Sequence, residues 1–187
     1  MPTNKQIWRT AAPAHCRGTS MLEVLITILI LSVGMLGLAA LQGKAHTSEL
    51  ESYQRAQALV LLQDIGSRMD GNIDNAASYV TKGEGTGISD AGDCTALGTR
   101  AAADLCEWSK ALKGSSEAKG STKQGAMIDG RGCVASTATN VYLISVVWQG
   151  LGATIAPATT CGQGDYDSEA SRRAVTMIWR FPVLDGL

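Results

Sequence analysis

Two sets of residues in this sequence could do chemistry. One is a single carboxylate, Glu23, at the edge of a long apolar run; the other is five cysteines, at positions 16, 94, 106, 133 and 161. A carboxylate held against hydrocarbon costs up to ~3 kcal/mol at depth and less at an interface, so it marks a place where a partner is expected. Cysteines serve as disulfides, zinc ligands or nucleophiles. The separations of 12, 27 and 28 between Cys94, Cys106, Cys133 and Cys161 contain no C-x₂-C pair, which argues against zinc. A nucleophilic cysteine needs a neighbouring base, and no histidine lies beyond His46. The same lack removes a Ser/His/Asp constellation. We therefore expect no catalytic residue, no cofactor and no enzyme activity.

Other polar patterns are weaker. Asp70, Asn72 and Asp74 match the first three spacings of a calcium loop, but Asn75 stands where Gly is needed and Thr81 where Glu is needed. Asp165, Asp167 and Glu169 make a second alternating acidic run, and a solvated turn accounts for either. No metal ligand is expected. Gly83, Gly85 and Gly87 alternate without the strand–helix frame of a phosphate loop. Arg172, Arg173 and Arg180 read as charges guarding a solvated edge strand.

The elements that must position these groups begin with the apolar run. The 187 residues are 45% hydrophobic and 18% charged, with a formal charge of −1, which suits about one domain and excludes the basic footprint of a nucleic-acid binder. Charge is missing from one place, the eighteen residues VLITILILSVGMLGLAAL of 24–41. As a helix they would span ~27 Å, close to the ~30 Å of bilayer hydrocarbon. A buried core helix would show a polar face, and this segment is apolar all round. Thr27 and Ser32 can return their hydroxyls to backbone carbonyls. Gly34 and Gly37 serve close helix packing or are merely tolerated in a membrane helix. Lys5, Arg9 and Arg17 precede the run and no acid precedes Glu23, so the N-terminal side is expected in the cytoplasm and everything after about Lys44 outside the inner membrane. A secretory signal peptide is the rival, with small residues Ala39, Ala40 and Ala45 at hand for cleavage. Against it stand the length of the run and the acid at its start.

Residues 18–25, GTSMLEVL, resemble the cleavage and assembly motif of type IV prepilins: a basic leader, a Gly, a Glu at the fifth mature position and an immediate apolar helix. The stretch 18–42 resembles the minor pilins of the PilV (type IV pilus modification protein) family. The resemblance implies a leader at 1–18, cleavage by prepilin peptidase between Gly18 and Thr19, N-terminal methylation at Thr19, and an assembly role for Glu23, paired in the fibre with a neighbouring subunit's N-terminal ammonium. Families of this kind usually begin the mature chain with Phe or Met; this chain has Thr19. The resemblance further implies a transmembrane and assembly helix at 19–43 and a periplasmic globular domain at 44–187. The partners would be other minor and major pilins, in a complex that initiates or assembles type IV pili for twitching motility and adhesion. No nucleic acid and no small-molecule substrate are expected. Two other readings stay open: a minor pseudopilin of a type II secretion system, and a membrane-anchored periplasmic binding or enzymatic domain.

Beyond the membrane, Ala58, Leu61, Leu62, Ile65 and Met69 recur at helical spacing, with Leu50 further back. One helix is thus predicted from about residue 20 to 69, half apolar and half amphipathic, ending at the turn signal Asp70-Gly71-Asn72. The Gly-rich stretches 82–93 and 113–125 read as loops. Residues 101–112 read as a short helix with Leu105, Trp108 and Leu112 on one face. Strands are predicted at 141–148 and 173–181, the second presenting Val175, Met177 and Trp179 to one side. A third, weaker strand falls at 126–128 and extends to 133–135. The predicted fold is α+β, a pilin-like long helix packed on a small antiparallel sheet. Trp108, Trp148 and Trp179 are assigned to packing. With Cys16 in the leader, four cysteines remain for two disulfides outside the cytoplasm. Of the three connectivities we favour Cys94–Cys106, which closes a Gly-rich loop, and Cys133–Cys161, which would staple the sheet across the loop after Trp148.

Overall fold

The structure is a computed structural model that describes residues 20–81, 83, 85–87, 92–114, 118–119, 122–123 and 127–182. It divides into two compact units, one ending at Ala45 and one running from His46 to Leu187. Helix α1, Met21–Asp70, begins in the first and ends in the second. Ser20 starts it by accepting the Leu22 N–H on its hydroxyl, as an N-cap does. From Met21 to Leu41 every side chain is exposed, and α1 is long and apolar enough to cross a membrane, with a mean hydropathy of 2.7 over its most apolar eighteen residues. The hydroxyls of Thr27 and Ser32 donate to the carbonyls of Val24 and Leu29, both at 2.8 Å, so the polar atoms within the run are satisfied by its own backbone.

In the second unit α1 turns amphipathic. Gln54, Ala58, Leu61, Leu62, Ile65, Gly66 and Met69 form its buried stripe. Leu50, expected on that stripe, is exposed instead. It lies before the packed turns, at the level where the helix meets the polar Glu51–Arg173 pair rather than the core. A 3₁₀ segment, Ile73–Tyr79, follows, then a 3₁₀ turn at Cys94–Ala96 and helix α2, Arg100–Leu112. Thr99 caps α2 by accepting the Ala102 N–H.

Two short strands, β1 (Ala118–Lys119) and β2 (Thr122–Lys123), pair with each other. The main sheet has three antiparallel strands in the order β3 (Arg131–Ala138), β4 (Val141–Gln149), β5 (Arg172–Arg180). The third strand thus lies at 131–138; Met127 and Ile128, expected at its start, precede it outside any strand. β3 turns directly into β4 through Asn140 at φ 58°, a left-handed conformation that Asn tolerates. β4 is central and alternates between two cores. Tyr142, Ile144, Val146 and Trp148 join the cluster made with α1, α2, Val175, Met177 and Trp179. On the opposite face Val147 packs with Cys133, Cys161 and Tyr166. The loop after β4 therefore folds back over the sheet, and this is why β4 is buried on both sides over most of its length.

The disulfides are Cys94–Cys106 and Cys133–Cys161, with Cα separations of 5.6 and 5.9 Å. The first holds the 3₁₀ turn to α2; the second ties β3 to the covering loop.

Candidate functional site

Gly18 and Thr19 lie outside the described residues. Glu23 occupies the first turn of α1, where an acid also complements the positive end of the helix dipole. It is exposed and immediately precedes the run that opens at Val24. Around it Leu22, Leu25, Ile26 and Leu29 are exposed, so the helix carries a carboxylate at the edge of a largely apolar surface. No atoms outside the helix itself approach Gly34 or Gly37 within 4 Å, which leaves both backbones open to another helix. Such a segment can enter hydrocarbon or pack among similar helices. In either setting the Glu23 charge requires a counter-charge or the interface.

The other polar patterns resolve into structural work. Asp70 accepts the Trp179 indole N–H at 2.9 Å, and Asn72 donates to the Tyr79 hydroxyl and accepts from Asn75. Asp165 pairs with Arg131 at 2.6 Å and Glu169 with Arg172 at 2.6 Å. Among the described residues no group of three or more His, Cys, Asp or Glu is placed to hold a metal ion. The alternating glycines lie against β3. Gly85 and Gly87 have φ of 81° and 97°, and a Cβ at either would strike the carbonyl of Gly132 or Gly130.

Arg172 corrects the reading of a solvated basic edge. Only 1% of the residue is exposed, and its guanidinium donates to Glu169 and to the carbonyls of Thr159, Cys161 and Pro157. The covering loop makes this burial possible, and neither residue spacing nor charge pattern announces it. Glu169 is held below the usual carboxylate range by the Gly164 N–H and by Arg172. Arg173 is likewise committed, to Glu51 at 3.3 Å and to the Gly152 carbonyl at 2.8 Å. Arg180 is exposed.

Sequence reasoning also missed a polar junction. Arg68 bridges Asp64, Asp104 and Glu107 at 3.0, 3.3 and 2.6 Å, and the Tyr79 hydroxyl donates to Asp104. Burial disfavours the Arg68 charge, but Glu107 and Asp64 outweigh it and keep the group firmly protonated. Burial first, and Asp104 second, push the Tyr79 phenol up. The i,i+4 spacing of Asp64 and Arg68 was the one visible signal. Compared with protein-family models, with curated proteins and with solved structures, the chain matches none.

Proposed function

We propose that this chain is a minor pilin subunit resembling the PilV family, a non-catalytic component that helps to initiate or assemble type IV pili. The observation that carries the reading is Glu23, placed in the first turn of α1 immediately before a fully exposed apolar stretch. A plain membrane anchor gains nothing from an acid there, whereas a helix extracted into a bundle of like helices would use it. Pairing with the neighbouring subunit's freed N-terminus would neutralise the charge and set the axial register. On this reading prepilin peptidase cuts between Gly18 and Thr19, and Thr19 is the methylated residue. The apolar half of α1 first anchors the subunit in the inner membrane and then joins the fibre. The amphipathic half carries a periplasmic domain closed by its two disulfides.

The test is a deletion strain imaged for surface pili, with protein secretion assayed in parallel. The reading expects fewer pili and poor twitching, restored by the wild-type gene and not by Glu23→Leu. Normal pilus numbers with defective secretion would assign the chain to a secretion complex instead.

A further inference from the structure

We infer that the loop after β4 rests on the membrane, with Ile155 and Leu151 seated in the headgroup layer of the bilayer that α1 enters. The inference rests on the reading of α1 as a membrane anchor and not on the pilin reading. Ile155 is 93% exposed and Leu151 46%, and every residue from Leu151 to Ala156 is exposed. No Asp, Glu, Lys or Arg occurs from Gly150 to Gln163. A lone exposed isoleucine is ordinary. What distinguishes Ile155 is a rigid mount and its place in the fold.

The mount is built from half-buried charges and backbone. The Arg173 guanidinium donates to Thr154 Oγ1 at 2.6 Å, to the Gly152 carbonyl at 2.8 Å and to Glu51 at 3.3 Å. Glu51 also accepts the Leu151 N–H at 3.2 Å, and the Thr154 N–H donates to the Ala170 carbonyl at 2.7 Å. The segment leading to Ile155 is therefore pinned before it meets any surface, so little ordering entropy is lost on contact.

The place follows from directions within the unit that begins at His46. There α1 and β5 run the same way: Glu51 meets Arg173 near the start of β5, while Gly66 and Asp70 meet Trp179 near its end. The loop is tied to Glu51, to Arg173 and to Ala170, which precedes β5, so it lies at the end where α1 enters the unit. Ten residues of α1 from Leu41 to Glu51 rise ~15 Å. Headgroups occupy about 5–8 Å of that rise. The Thr154–Ala170 bond carries the loop past the first residue of β5 toward the same side, and a helix tilt of about 20° shortens the rest. An uncharged apolar loop gains by entering the interface and strips no ion of its water there. The anchor holds the bilayer beside the loop permanently, so the contact is intramolecular in effect and two side chains suffice for it.

The test uses the full chain, one copy per lipid nanodisc, with ¹³C-labelled isoleucine methyl groups and lipids carrying a nitroxide at the headgroup. The Ile155 signal is assigned by its loss in Ile155→Leu. Ile26, Ile28 and Ile30 report the anchor, and Ile73 and Ile178, exposed toward the opposite end of the unit, serve as controls. The Ile155 methyl should lose most of its intensity to the nitroxide, along with the anchor signals, while Ile73 and Ile178 stay sharp. With no charge in the loop, the loss should be the same with and without anionic lipid and from low to high salt. A sharp Ile155 beside broadened anchor signals overturns the inference and leaves the anchor standing. Sharp signals at all four positions overturn both. Equal broadening of Ile73, Ile155 and Ile178 shows contact without a preferred face and also contradicts the inference. So does broadening of Ile155 that appears only with a second, spin-labelled copy in the disc, which assigns the loop to a neighbouring chain.

Discussion

At the scale of single residues, Gly132 and Arg172 show how closely the second unit is fitted. A Cβ at Gly132 would run into the ring of Trp108, which is fully buried and fixed by its bond to the Leu61 carbonyl. Gly132→Ala should therefore destabilise the unit by ~1–3 kcal/mol, the cost of overpacking, read as a lower midpoint in chemical denaturation. Arg172 is the polar counterpart. Arg172→Ala leaves the Thr159 and Cys161 carbonyls without their donor, and at ~1–3 kcal/mol per orphaned buried group it should cost ~2–5 kcal/mol. Its partner Glu169 makes the effect pH-dependent. A carboxylate whose folded pKa is depressed adds stability that is present above the unfolded value of about 4.5 and is lost as pH falls through the lower folded value. Glu169→Gln should accordingly melt below wild type at pH 7, and the two melting temperatures should converge as pH falls below about 4.5. A constant difference down to the lowest pH would contradict that account. The role of Arg172 was hidden from the sequence because its environment is supplied by the carbonyls of 157–161, whose approach depends on tertiary folding. Glu23, by contrast, was legible at once, since an acid beside eighteen uncharged residues stands out without any structure.

At the scale of elements, period and residue type carried most of the information. Val175, Met177 and Trp179 alternate, and all three pack against the main core. The stripe from Ala58 to Met69 follows the helical period and is buried as read. β3 was harder to see. Apart from Val134, its residues Gly132, Ala135, Ser136, Thr137 and Ala138 are small or polar, so it is a strand by pairing with β4 rather than by its own propensity. The disulfides act at this level too. Cys133–Cys161 closes a separation of 28 residues and Cys94–Cys106 one of 12, so on the chain-entropy account their loss should cost ~3.5 and ~3 kcal/mol. Removing Cys133–Cys161 by paired serine substitution should also free the covering loop. Hydrogen exchange should then rise across 157–170 and at Val147, while α2 stays protected. Uniform loss of protection would show instead that the loop is integral to the whole unit.

At the scale of the whole molecule, the two units ask for different surroundings. The stretch from Met21 to Leu41 exposes apolar side chains on every face, which only hydrocarbon or other apolar helices can cover. The unit from His46 onward closes two cores of its own and needs neither. On the proposed reading, an anchor that later becomes an assembly helix would reconcile the two demands, and removal of the basic leader would be the step that commits it. The most direct measurement is the N-terminus of the mature protein, sequenced and weighed from cells with and without their prepilin peptidase. The account predicts a chain beginning at Thr19 when the enzyme is present and an uncut Met1 chain when it is deleted. An intact Met1 in both strains, or a chain beginning beyond Leu41, would contradict it.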